Sequence, residues 1–321
     1  MAKLASLMEY YYETMYPELK ILESGRLEIL AKIKKAGIVI AVLVLAAAWM
    51  LDYTTSFSLI EALGFSAALG AALFGFIYQH YAAGYSSLFK DTVIEKIISF
   101  IDPTLVYRKD GVIRESEYQY SKLLPQSYDR YQGSDLVEGT VDGVNVHFSD
   151  LHVEEKRKDK NNKDEWHTLF QGLFFVADFH KTFKGRTYVF PDLAERTLGA
   201  FGSWLQSLRQ SHGELIKLDH GVFESYFAVY GDDSVEAHYL LSHAFMQRLV
   251  TFYEKHRKNL FLGFVDGKMY LALEYNKTLF APKLTRSLLT FTHIKEYFEL
   301  LEMVFGIVDV FKLDQKLWSK R

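Results

Sequence analysis

The sequence predicts an α+β chain: an N-terminal transmembrane helical hairpin with a helical stalk, then a cytoplasmic antiparallel sheet packed with helices. Three observations predict it. Two apolar runs, Ala36–Leu51 and Leu63–Tyr78, are separated by a short polar loop, and no Lys or Arg occurs between Lys35 and Lys90. Stretches with apolar residues at helical spacing flank both runs. From Tyr118 onward, short alternating segments and Asp-Gly turns replace the helical pattern.

Counted from Ile33 to Tyr53 and from Leu59 to His80, each run is long enough to cross roughly 30 Å at about 1.5 Å per residue, one hydrocarbon thickness. A long soluble hairpin is the competing reading, but a soluble core helix rarely needs so many consecutive apolar residues. Lys32, Lys34 and Lys35 precede the first run, Lys90 and Lys96 follow the second, and the loop Asp52–Ser58 has no base. Positive charge stays on the cytoplasmic side, so both termini and the C-terminal domain are expected there. A secretory signal fits poorly, because Glu9, Glu13, Glu18, Glu23 and Glu28 precede the first run. Glu61, at the outer end of the second run, reads as an interfacial acid rather than part of a proton relay.

The second run carries two offset rows of small residues, Gly64-Ala68-Ala72 and Ala67-Ala71-Gly75. Small side chains let helix backbones approach where lipid already solvates apolar surface. One row would seat the first run of the same chain; the other would serve a second copy, so a homo-oligomer is expected.

Residues 1–32 read as an amphipathic helix with a stripe at Leu4, Leu7, Met8, Tyr11 and Met15, and a second from Leu19 to Ile33 after a break at Pro17. The hairpin occupies 33–80. Residues 81–102 form a stalk helix with Phe89, Val93, Ile97 and Ile101 at four-residue spacing, flanked by Ile94 and Ile98 and ending at Asp102-Pro103.

The cytoplasmic domain, 103–321, is large enough for a sizeable core. A hairpin is expected around Val141-Asp142-Gly143. The change of apolar parity from Val144, Val146 and Phe148 to Leu151 and Val153 calls for a bulge near Ser149-Asp150. Residues 156–165 form a polar hairpin tip, and 169–179, apolar on both parities, read as a central strand covered on both faces. Thr187–Phe190 follows, then a helical stretch with Leu198, Phe201, Leu205 and Leu208. Strands are expected at 215–218 and 223–230. Asp233 and Glu236 form a capping box, and Ser242 caps a continuation. A hairpin turns at Asp266-Gly267, and a last helix starts after Thr292 with a seam at Ile294, Phe298, Leu301, Phe305 and Val308.

The chain has no cysteine, which removes disulfides, thiol nucleophiles and Cys-ligated metals, and its net charge of −3 argues against a broad nucleic-acid footprint. Asp150, His152 and Glu154 alternate on one strand face, a metal-ligand chemistry in principle, against the simpler reading of a solvated face. The bases Lys156, Arg157, Lys158, Lys160 and Lys163 either touch anionic headgroups or solvate the tip. Asp178 and His180 have no assignable nucleophile, and the five-residue spacing of His238 and His243 does not align them on a helix. Asp232 and Asp233 are explained by capping. No phosphate loop, nucleophile elbow or HExxH is present. No catalytic residue and no cofactor is assigned.

The stretches FIDPTLVY (100–107), DRYQGSDLVEG (129–139), FSDLHVEEK (148–156), GLFFVADFHKTFKGRTYVFPD (172–192), FAVYGDDSVEAHYLLSHAFMQRL (227–249) and FVDGKMYLA (264–272), with IKEYFELL and KLDQKLWSK near the end, resemble the bacterial membrane proteins grouped as domain of unknown function 3137. His243 departs from the proline expected after the Ser242 cap. The resemblance implies two spans, a cytoplasmic C-terminal domain and the bacterial inner membrane. It carries over no catalytic residue. Gene neighbourhood in the family makes a LemA-like membrane protein a candidate partner. The expected function is a membrane-anchored interaction or scaffold module. The alternatives are a tethered enzyme or ligand- or metal-binding domain with a polar site near Asp150, His152 and Glu154, and a lipid-sensing or stress-responsive envelope factor.

Overall fold

A computed structural model describes residues 2–55, 57–141, 143–179, 185–191, 212–275 and 278–316. The chain forms two compact units: Met1–Ile97 with Ala281–Phe298, and Ile98–Phe280 with the chain from Glu299 on.

The first unit is helical. α1 (Ala2–Tyr10) passes through a π-helical turn, Tyr11–Met15, into α2 (Tyr16–Thr54). α3 (Leu59–Phe89) passes through a second π turn, Lys90–Ile94, into α4 (Glu95–Ile101). The π turns have a physical reason. Leu7, Tyr11, Met15 and Leu19 are all buried at four-residue spacing, as are Phe89, Val93 and Ile97. Each four-residue step overshoots a 3.6-residue turn by about 40°, so a strict α-helix would wind the stripe off its face. A wider turn takes up the slack. The helix therefore runs on through Pro17, which sits directly after the π turn at the start of α2. The expected break at Pro17 is corrected accordingly. Met8 and Leu27 of the expected stripes are exposed.

Ser58 caps α3 with a reciprocal box: Glu61 N–H donates to Ser58 Oγ, and Ser58 N–H donates to Glu61 Oε2. α2 and α3 lie against each other where both lack bulk. A Cβ on Gly70 would fall 2.5 Å from Val44 Cγ2, and one on Gly37 would fall 3.2 Å from the Phe74 ring. The buried small residues of α3 are Ala62, Ser66 and Gly70, at four-residue spacing. These form the buried contact with α2; Ala67 and Ala71 flank it along a groove shared with Gly37, Ile40, Ala41 and Val44 but stay exposed, Gly64, Ala68 and Ala72 are exposed, and Gly75 is half-buried. α2 and α3 are long and apolar enough to cross a membrane, and only 6% and 17% of the most apolar windows of these helical stretches are buried.

The segment 281–298 belongs to this helical unit rather than to the sheet, which moves it out of the expected 103–321 domain. Phe291 packs its ring on Tyr11 at 5.3 Å, and Tyr297 packs on Phe89 at 5.6 Å.

The second unit is an α+β domain. Its strands are β1 (Val106–Arg108), β2 (Arg130–Val141), β3 (Val144–Lys158), β4 (Asp164–Asp178), β5 (Thr187–Pro191), β6 (Glu214–Ile216), β7 (Phe227–Gly231), β8 (Leu260–Val265) and β9 (Lys268–Glu274). They form one nine-stranded sheet in the order β1-β2-β3-β4-β9-β8-β5-β7-β6, every pair antiparallel. The long hairpins β2-β3-β4 and β8-β9 build its middle, and the edges are three-residue strands, too short to template another chain. The helices are α5 (Glu115–Ser121), α6 (Gly221–Glu224), α7 (Ser234–Leu240), α8 (His243–His256) and α9 (Phe291–Lys316), whose first residues lie in the helical unit.

β4 is central and buried from Leu169 to Ala177 apart from half-buried Gln171, as its double parity predicts. On one face Phe174 and Val176 join Leu151, Val153 and Tyr118 of α5. On the other, Phe175 stacks on Phe148, which meets Phe305 of α9. Both faces are covered, and this explains the parity change along β3 without a break in that strand. The expected bulge lies in its neighbour: Ser134 pairs Asp150 and Val137 pairs Phe148, so Asp135 and Leu136 together oppose Ser149. Asp135 takes a positive φ of 64° there, and its Oδ1 accepts from Tyr107 Oη at 2.5 Å.

The Asp266-Gly267 turn has φ of 47° and 79°, the mirror-image geometry that matches strand twist. Asp233 and Ser242 cap α7 and α8, but the expected box is not closed: Glu236 Oε2 accepts from Gly185 N–H at 2.6 Å. Ile294, Phe298, Leu301 and Phe305 of the α9 seam are buried. The strand pattern starts later than Tyr118, and the strand expected at 223–230 begins only at Phe227. Tyr118 lies in α5 and Phe223 in the single turn α6, because both are held by local bonds: Glu117 and Tyr118 N–H donate to Arg114 O, and Phe223 N–H donates to His220 Nδ1. The expected helix at 198–208 lies outside the described residues, as does His180.

Candidate functional site

Asp150, His152 and Glu154 share one face of β3, but their polar atoms are engaged separately. Asp150 is buried, and its Oδ2 accepts from Leu279 N–H at 3.1 Å, fixing the chain after β9. His152 Nε2 lies 3.0 Å from Thr168 Oγ1 and 3.6 Å from Glu154 Oε1. Glu154 is also buried, and its Oε2 accepts from Arg130 at 2.9 Å. The solvated-face reading is therefore corrected for the two acids. Among the described residues, no three His, Asp or Glu side chains are grouped to hold a metal ion.

The hairpin tip carries its own counter-charges. Lys156 and Lys158 both reach Asp164, at 2.6 and 2.7 Å, and hold its carboxyl below the usual range. Arg157 pairs with Glu155. Lys160 and Lys163 are exposed at the turn, where Asp159 Oδ1 accepts from Asn161 and Lys163 N–H. The Arg130 guanidinium lies 3.8 Å above the Trp166 ring. His238 Nδ1 bonds Ser234 O inside α7, while His243 stacks on His220 at 4.6 Å, so the two are not brought together. Asp232 anchors the main chain at Arg186.

Sequence reasoning passed over two polar centres. In the sheet unit, Glu117 of α5 accepts from His147 Nε2 of β3 at 2.7 Å and from Lys268 Nζ of β9 at 3.0 Å. β4 lies between those strands, so one carboxylate spans three strands and pins α5 over the sheet. Burial pushes the Glu117 carboxyl up, but the hydrogen bonds and charges of His147 and Lys268 outweigh it and hold it at about 2. Tyr270 Oη is buried without a hydrogen-bond partner, and the Glu117 and Asp178 charges act on it. The arrangement is a clamp built around an ionised carboxylate.

In the helical unit, Glu23 and Arg26 form a buried pair at 2.6 and 2.9 Å. Their i, i+3 spacing resembles any surface pair on a helix, so nothing in the sequence marks them as buried.

A cleft of about 450 Å³ lies between α8 and the later part of α9. Buried Phe245 and Leu249 line it, with Lys255 and His256 on the α8 side and Glu299 and Glu302 on the α9 side. Burial and neighbouring Lys255 lower the His256 pKa, partly against Glu299. Its size suits a small molecule.

These features define an α+β protein with two helices long and apolar enough to cross a membrane, and with a sheet whose buried charges serve mainly to hold it together. The family model described as Protein of unknown function (DUF3137) matches residues 168–313, a little under half of the chain, so this part of the chain is similar to that family. The match runs from β4 through most of α9, the part richest in the stretches that carry the resemblance. No curated protein and no solved structure matches the chain.

Proposed function

We propose that the protein is a membrane-anchored interaction module of the bacterial inner membrane, self-associating through its apolar hairpin, with both termini and the sheet unit in the cytoplasm. The observation that carries this reading is the near-complete exposure of α2 and α3 in their most apolar windows. A soluble core helix would be covered there; an exposed apolar surface of that length calls for lipid or further helices. The absence of bases between Lys35 and Lys90, with lysines on both flanks, supports the orientation. The exposed rows Gly64-Ala68-Ala72 and Ala67-Ala71 are left for a neighbour, and a second copy is the occupant we favour. A LemA-like membrane protein is the candidate hetero-partner. The test is the mass of the full-length protein in nanodiscs, then of Ala68→Leu with Ala71→Leu. A parent of more than one copy and a smaller mutant fit the reading; a monomeric parent or an unchanged mutant contradicts self-association.

A second reading, ligand binding by the sheet unit, rests on the cleft between α8 and α9. It rests on other residues than the site near Asp150, where Asp150 Oδ2, His152 and Glu154 are engaged by Leu279 N–H, Thr168 and Arg130.

A further inference from the structure

The helical unit contains a stretch of chain, Ala281 to Thr290, that is neither helix nor strand. Its main chain is gripped at three points, and the Ser287 side chain also bonds Glu23. Arg26 NH1 donates to Leu284 O at 2.5 Å, and Leu288 N–H donates to Glu23 Oε2 at 3.0 Å. Tyr297 Oη donates to Ala281 O at 3.3 Å. Leu284 and Leu288 are buried, while Thr285 and Arg286 between them, and Lys283 just before them, are exposed. The segment is thus clipped at two backbone atoms four residues apart, and both clips come from one buried ion pair.

We infer that residues 281–290 form a releasable strap, held on the stalk helices by the Glu23–Arg26 pair and freed locally when that pair is broken. Three physical points support a strap rather than a fixed core segment. A buried ion pair offsets its own desolvation only while both partners and their extra hydrogen bonds stay in place, so the grip is strong when complete and fails as a unit. Two of the bonds go to main-chain atoms, Leu284 O and Leu288 N–H, and the Ser287 side chain adds a third to Glu23, so they select one conformation of the strap. Tyr85 Oη, buried in reach of the same two charges, has no hydrogen-bond partner, so the site is not packed to saturation.

The strap carries its own reporters, because trypsin cuts after Lys283 and Arg286 only if the segment lifts away. The test is limited trypsin digestion of the full-length protein in nanodiscs, with cutting at the exposed tip lysines Lys160 and Lys163 as the internal reference. The wild type should be cut at the strap far more slowly than at the tip. Glu23→Gln and Arg26→Met should each speed strap cutting at least tenfold with the tip rate unchanged. Glu23→Leu with Arg26→Met, which leaves no unpaired charge, should do the same while preserving the helical circular dichroism. Strap cutting within twofold of wild type in all three variants would overturn the inference. So would strap and tip rates rising together, since that marks general loosening.

Discussion

Glu117 Oε2 and His147 Nε2 lie 2.7 Å apart, joining a seven-residue helix to the third strand of the sheet, and Lys268 completes the clamp from the far side of β4. α5 is too short to be stable alone. Tyr118 packs it on the core and Glu117 fixes its position.

The clamp gives an acid-dependent stability. The folded pKa of Glu117, about 2, lies below its unfolded value of 4.5. A depressed carboxyl contributes stability that is fully present above the unfolded pKa and is lost as pH falls from there toward the folded value. After discounting for solvent screening, about 1–2 kcal/mol is expected. Urea melts of Glu117→Gln should show that loss at neutral pH and a flatter dependence between pH 5 and 2 than the parent. Parallel curves would remove the clamp from the account.

Phe174 and Phe175 are both under 2% exposed and face opposite sides of the sheet. Either change to Ala should cost on the order of 3–5 kcal/mol, read by chemical denaturation. Melting like the parent in either variant would contradict a sheet covered on both faces.

Asp150 and His152 should separate cleanly. Asp150→Ala leaves the Leu279 N–H without its acceptor and should cost about 1–3 kcal/mol. His152→Ala, at a half-exposed position, should stay within about 0.5 kcal/mol. Equal effects would argue that the two act as one site.

Gly70 should resist substitution where Ala68 does not. A Cβ at Gly70 meets Val44 at 2.5 Å, whereas Ala68 is exposed. Gly70→Val should lower the detergent-solubilised melting temperature more than Ala68→Val does. The reverse order would place the α2–α3 seam on the other row.

Much of this architecture was legible in the sequence because its signals are local. Two Lys/Arg-free apolar runs, the Asp266-Gly267 turn, the caps at Asp233 and Ser242, and the double-parity strand 169–179 each need only neighbouring residues to be read. What escaped depends on distant partners. Four-residue spacing at Leu7, Tyr11, Met15 and Leu19 hinted at a helix that must widen, but Pro17 offered a more obvious break. The bulge expected on β3 lies instead in its partner β2, at Asp135 with positive φ. Glu23, Arg26 and Glu117 read as ordinary surface charges because their partners are up to 265 residues away. The small residues of α3 form several offset rows, and spacing alone cannot tell which one meets Val44.

The central claim is membrane anchorage with the sheet unit inside, and the cysteine-free chain makes it directly measurable. Single cysteines would be placed at Thr55, in the loop between α2 and α3, and at Lys160, on the exposed tip, and treated in intact cells with a membrane-impermeant maleimide. The account expects labelling of Thr55→Cys from outside, and of Lys160→Cys only after the membrane is opened. Labelling of Lys160→Cys in intact cells, or release of the protein from membranes by alkaline carbonate, would contradict it.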